Sequence, residues 1–210
     1  MTQSIFTPLA AAGLTSLKLQ HDWRTGEFRL WAGREWSEAL RFSEYGQTFS
    51  AENLLSADTH SLNTAEVREL FDQHDLLDYL DEVLELIRQG KHIGIEAYFH
   101  AEKNIRFMCH EHSLTQGLRN KRHAIMAGGI RRHPLSDAEI DVIIDGLNLG
   151  RAMSFKNIAA DLDFGGCKTT VHMDELDLED FEVMGFLAFA LDRTRSMTGP
   201  DMYFPTAMAD

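Results

Sequence analysis

Cysteine is nearly absent. Cys109 and Cys167 are the only two among 210 residues, too few for a disulfide framework or a four-cysteine metal site, and a reducing compartment fits. Long apolar runs are missing too. The longest, Val183 to Leu191, falls short of the roughly 18–20 residues that cross a bilayer. An apolar stretch from Leu9 to Leu14 lies near the start, but the first cation is Lys18, so the charged opening of a secretion signal is lacking. Cations are in deficit, 20 against 33 acidic residues, and the net charge of −13 repels phosphate backbones and anionic lipid. A soluble cytoplasmic protein is expected, with neither nucleic acid nor membrane as partner.

What remains is ordinary globular composition, 44% hydrophobic and 25% charged. A chain of this size buries about 70% of its extended surface, and one large domain is the default. Leu17, Leu19, Trp23, Phe28 and Leu30 alternate around Thr25-Gly26, which predicts a hairpin over 14–31. Residues 34–62 carry few signals. Asn63 with Glu66 forms a capping-box pattern, and Leu62 can staple onto Val67. Leu70, Leu77, Leu80, Leu84 and Ile87 then recur at helical spacing as far as Gly90, with Asp72 to Asp75 as a point of division. Alternation resumes at Ile93, Ile95, Ala97 and Phe99 and again at Ile105, Phe107 and Cys109, a second hairpin.

A short strand is expected at Ile125 to Ala127. A helix should open at Ser136, boxed by Glu139, with Ile140, Ile143, Ile144 and Leu147 as its apolar stripe. Lys156 to Val171 reads as a loop and a strand around Gly165-Gly166. The last helix, roughly 178–196, presents Phe181, Met184, Leu187 and Leu191 on one face. Together these predict an α/β fold, a mixed β-sheet with helices packed on it.

Lys156 and Lys168 are set among small and apolar residues, where lysine is rarely placed for solubility. A lysine in an apolar pocket beside another cation has a lowered pKa and can act as a base. Its still-charged neighbour would hold a carboxylate. Glycine at 165 and 166 lets backbone pass close to a ligand. The plainer alternative is two snorkelling lysines flanking a strand. Gly128-Gly129, ahead of Arg131-Arg132, is on its own more often a turn than a binding loop.

Gly128-Gly129-Ile130-Arg131, Arg151-Ala152-Met153-Ser154-Phe155-Lys156-Asn157, Gly165-Gly166-Cys167-Lys168 and Pro200-Asp201 resemble, in order and gaps, the N-terminal domain of the glutamate, leucine, phenylalanine and valine dehydrogenases. The resemblance covers about 76–210 and leaves 1–75 as an N-terminal extension of unknown role, a hairpin plus an irregular segment. It implies a substrate-binding and dimerisation domain, homo-oligomeric, serving reversible oxidative deamination of an L-amino acid to a 2-oxo acid. It implies that Lys156 binds the substrate α-carboxylate, that Lys168 activates water, and that Asp201 exchanges protons with the amino group. Gly128, Gly129 and Met153 would line the substrate pocket. Where glutamate-specific members have a lysine before the glycine pair, this chain has Ala127, which with the spacing from Gly128 to Lys156 implies an apolar or aromatic substrate of the leucine, phenylalanine and valine branch.

After Asp201 the family continues with valine, glycine and threonine, whereas this chain reads Met202-Tyr203-Phe204-Pro205-Thr206. The family's cofactor is NAD or NADP, but no Gly-x-Gly-x-x-Gly occurs here, so no Rossmann domain and no cofactor bound to this chain are expected. Met208-Ala209-Asp210 suggests an excised N-terminal domain, inactive alone. The alternative is a free-standing, non-catalytic module that binds amino or 2-oxo acids or serves assembly. His110 and His112 would share a strand face, but a third metal ligand at convincing spacing is missing and no metal is expected. Cys167 reads as a small apolar filler.

Overall fold

The computed structural model describes residues 3–35, 61–114, 126–175, 177, 179–194 and 196–204. The expected strand residue Ile125, most of 34–62 and the segment from Pro205 to Asp210 lie outside the described residues. In chain order the elements are α1 (Phe6–Ala11), β1 (Ser16–Asp22), β2 (Glu27–Gly33), β3 (Ser61–Leu62), α2 (Thr64–Asp72), α3 (Leu77–Gln89), β4 (Gly94–His100), β5 (Ile105–Glu111), β6 (Met126–His133), α4 (Glu139–Ala159), β7 (Gly165–His172), α5 (Phe181–Arg193) and β8 (Ser196–Pro200).

The strands form one mixed sheet in the order β3-β2-β1-β4-β5-β7-β6-β8. β6 runs parallel to both β7 and β8, and the other pairs are antiparallel. Both expected hairpins are present. The described part of residues 1–75 belongs to this sheet, because β1 pairs with β4 over Ser16 to Gln20. The side chains of α1 and of Ile5 before it join them to the same core: Ile5, Phe6 and Leu9 are buried.

Successive strand residues point to opposite faces, and the sheet has helices on both. Ile95, Ala97 and Met108 face a core shared with Val67, Leu80 and Ile87 of α2 and α3 and Val142 and Ile143 of α4. Phe107, Cys109, Cys167 and Val171 face a second core closed by Val183, Phe186, Leu187 and Ala190 of α5. Central β7 is buried along its whole length.

Two helix starts show how local signals fare. Asn63 caps α2 with the full capping box, its side chain accepting from Ala65 and Glu66 N–H while Glu66 accepts from Asn63 N–H. The expected box at Ser136 does not form. α4 begins after Ala138 without a side-chain cap, and Glu139 is instead buried. Its carboxylate accepts from the Ser4 hydroxyl (2.5 Å), the Ile5 N–H (2.7 Å) and the Tyr79 hydroxyl (3.2 Å), and pairs with Arg106 (3.2 Å). Four groups from distant segments outbid a local cap. The phases of the last two helices also differ from expectation. Ile144 is 38% exposed on α4, and Phe181 is 87% exposed at the start of α5. On α5 the buried face is Val183, Phe186, Leu187 and Ala190, while Asp180 caps the helix. No helix among the described residues is long and apolar enough to cross a membrane.

Candidate functional site

α4 crosses from β6 to β7 and packs closely on the sheet, because its inner face carries Gly146, Gly150 and Ser154 at four-residue spacing. A Cβ at Gly150 would sit 2.8 Å from the His110 carbonyl and 3.4 Å from the Lys168 N. A Cβ at Gly166 would collide with the backbone of Ser154. These glycines let the helix seal β7, so that Lys168, alternating with Gly166 and Thr170 on the α4 side, is only 4% exposed.

The Lys168 amine donates to Asp201 Oδ2, and Asp201 is held by its own N–H, which donates to the Ile130 carbonyl at 3.0 Å as β8 ends. Gly129 forms the floor between them. Ala127 opposite Gly166 and Ile130 opposite Thr169 place Gly129 beside Lys168. A Cβ there would lie 3.0 Å from Nζ and 3.2 Å from the Asp201 Cβ. At Gly128 a Cβ would strike the Cys167 carbonyl. Ala127, Gly128 and Gly129 are all partly exposed, so the buried amine sits next to an opening. The segment after Asp201, which departs from the family pattern, anchors the same corner, since Phe204 enters the α5-side core.

Burial pushes the Lys168 amine below its ordinary pKa. The hydrogen bond and charge of Asp201 oppose this, and the nearby Arg131 cation adds to it. Burial pushes Asp201 upward, but Lys168, the Met202 N–H and Arg131 outweigh it, and the carboxyl ends below its ordinary range. An amine so placed can shed a proton more readily than a surface lysine, beside a carboxylate that stays charged.

Lys156 is placed differently. It falls in the last turn of α4, not in a loop, and is exposed, so the water-poor cleft expected for both amines holds Lys168 alone. The register still relates them. Eleven residues turn a helix by about 20° beyond three full turns, which puts Lys156 on the flank of α4 that carries Asp145. Asp145 faces β6 through Arg131, with contacts of 3.0 and 3.3 Å. Going back from Arg131 to Ala127 covers about 13 Å of strand, and going on from Asp145 to Met153 covers about 12 Å of helix. Because α4 runs back along β6, Met153 comes level with Ala127 and Lys156 lies less than a turn beyond. A cleft of about 850 Å³ opens on the opposite flank of α4 by His112, Arg151 and Phe155 and does not reach Lys168.

The residues that sequence spacing did not single out are Arg131 and Asp145. Arg131 stands in the glycine-pair motif, but nothing in a gap of fourteen positions signals an ion pair between a strand and the helix that follows it. His110 and His112 are engaged with Thr170 (3.0 Å) and Ser154 (2.7 Å). Among the described residues no group of three or more histidine, cysteine, aspartate or glutamate side chains could hold a metal ion.

A mixed sheet flanked by helices, with Lys168 on β7 paired across the bare backbone of β6 with Asp201 just past β8, defines an α/β domain with a buried lysine–aspartate pair. The chain belongs to the family described as Glu/Leu/Phe/Val dehydrogenase, dimerisation domain, whose sequence model matches residues 96–207. A search of curated proteins finds no match. Among solved structures the chain is similar to L-tryptophan dehydrogenase from Nostoc punctiforme, at 20% identity and a TM-score of 0.50, over 60% of this chain and 36% of that one. It is also similar to glutamate dehydrogenase from Peptoniphilus asaccharolyticus, at 18% identity and a TM-score of 0.42, over 67% and 36%. The chain thus spans about a third of the length of each.

Proposed function

We propose that the chain is the substrate-binding and oligomerisation part of an NAD(P)-dependent dehydrogenase that interconverts an apolar L-amino acid and its 2-oxo acid. The observation that carries this reading is the Lys168 amine, buried, lowered in pKa, paired with Asp201 and set over the bare backbone of Gly129. In this reading Lys156, exposed and level with the opening, holds the substrate α-carboxylate as a point charge. Lys168 takes the proton of the water that adds to the imine carbon, and Asp201 exchanges protons with the departing amino group. Gly128, Gly129 and Met153 line the pocket. Ala127 occupies the face of β6 that carries Gly129 and offers no counter-charge to a second carboxylate, whose desolvation would go uncompensated.

The described residues do not fit NAD or NADP. The parallel unit β6-α4-β7 has Pro134-Leu135-Ser136 where a glycine-rich turn would be needed, and the first turns of α4 and α5 carry Glu139, Asp141 and Glu182, which repel a pyrophosphate. The cofactor of the proposed reaction is held by other residues. Self-association follows the family description and agrees with exposed apolar side chains near the end of α4, where Phe155 is 57% and Ile158 55% exposed.

Calorimetric titration of the chain with 4-methyl-2-oxopentanoate, phenylpyruvate and 2-oxoglutarate tests the reading. The apolar acids should bind, the dicarboxylate at least about tenfold more weakly, a difference of about 1.4 kcal/mol. Absence of binding by all three, or preference for 2-oxoglutarate, overturns it.

A further inference from the structure

Arg131 divides its guanidinium between two carboxylates. Nη2 lies 3.2 Å from Asp201 Oδ2, the same oxygen that receives the Lys168 amine, while Nη1 contacts Asp145 Oδ2 and Oδ1 at 3.0 and 3.3 Å. Two cations and two carboxylates from β6, β7, β8 and α4 are thereby joined in one chain of contacts, and His133 Nε2 approaches Asp145 Oδ2 at 3.3 Å from its outer end. Guanidinium binds a single carboxylate best with both arms. Arg131 is kept from doing so at Asp201 because Asp145 occupies the other arm.

We propose that Asp145 is a positioning residue, which, through Arg131, keeps one oxygen of Asp201 available to Lys168 and so preserves the pair that handles protons. The proposal rests on the dehydrogenase reading for its purpose, but its physical content is independent of turnover. Without Asp145 the fork turns both arms onto Asp201, Lys168 loses its share of the counter-charge, and an uncompensated guanidinium remains beside it. Among the described residues, the charged or titratable groups around Lys168 are Asp201 just past β8, Arg131 from β6, Asp145 from α4 and His110, its cross-strand neighbour on β5. His133 and Asp137 lie beyond Asp145.

The test is the titration midpoint of Lys168, read by NMR of a lysine-selective carbon label in the chain itself. In Asp145→Asn the midpoint should fall by about half to one pH unit, equivalent to about three- to tenfold more neutral amine at a given pH below it. Asp145→Glu should restore most of the wild-type value, and Arg131→Met should shift the midpoint upward. A merely structural role predicts otherwise, since loosening the site admits water and raises the midpoint in Asp145→Asn as well. An unchanged or raised midpoint in that variant overturns the proposal while leaving the dehydrogenase reading intact. Failure to bind any 2-oxo acid sinks that reading while the midpoints still report on Asp145.

Discussion

Replacing Lys168 with methionine should make the protein more stable. The native amine is almost fully enclosed and burial holds its pKa below the ordinary 10.5. The folded state therefore carries a cost for the charged form that the unfolded chain does not. That cost is present in full at neutral pH and fades as pH rises from the lowered value toward 10.5, because the unfolded chain then gives up the proton as well. Methionine fills similar space without charge. Its partner Asp201 is not orphaned, since its side chain is 31% exposed and keeps Arg131 at 3.2 Å. Exchanging a buried ion pair for an apolar side chain often stabilises by about 1–4 kcal/mol, and the retained acid argues for the lower part, about 1–2 kcal/mol. For a domain of this size that raises Tm by about 2–8 °C. Differential scanning calorimetry of wild type and Lys168→Met at pH 7 and pH 10 measures both the gain and its pH dependence. A Tm loss at pH 7, or a gap that widens at pH 10, would refute the view that this lysine is retained for chemistry at the expense of stability.

Two further outcomes follow from the buried groups. Glu139→Ala should cost about 3–5 kcal/mol in urea unfolding, because Arg106 and three neutral donors lose one common acceptor; a cost under about 1 kcal/mol would contradict the arrangement. His92 and His110 have folded pKa values of about 3, lowered first by burial and then by neighbouring cations. The unfolded chain therefore takes up their protons first as pH falls below about 6.5. Stability should drop by about 5 kcal/mol between pH 6.5 and pH 4.5, and a flat profile would speak against their enclosure.

The parts of the fold that could be read from sequence were those decided within a few residues. Asn63 and Glu66 cap each other, the division near Asp72–Asp75 separates α2 from α3, and both hairpins are set by simple alternation. Where distant partners decide, local reading failed. Glu139 is captured by Ser4, Ile5, Tyr79 and Arg106, and the phase of α5 is set by the core it closes, which takes Phe186 and leaves Phe181 outside. α1, overlapping the apolar stretch near the start, carries no capping signal that marks a helix. At the site, the enclosure of Lys168 was legible from the small residues around it. The helical position of Lys156 was not, because the segment from Lys156 reads as a loop leading to Gly165-Gly166, whereas α4 continues to Ala159. The Arg131–Asp145 bridge depends on how α4 lies across β6, which no spacing in the sequence encodes.

In the proposed dehydrogenase reading, Lys156 and Lys168 attend one ligand at the opening beside Gly129. NMR of both lysine side chains during titration with 4-methyl-2-oxopentanoate tests it most directly. Saturable shifts of both signals with a single binding constant are expected. Movement of Lys156 alone, or of neither, would contradict the account.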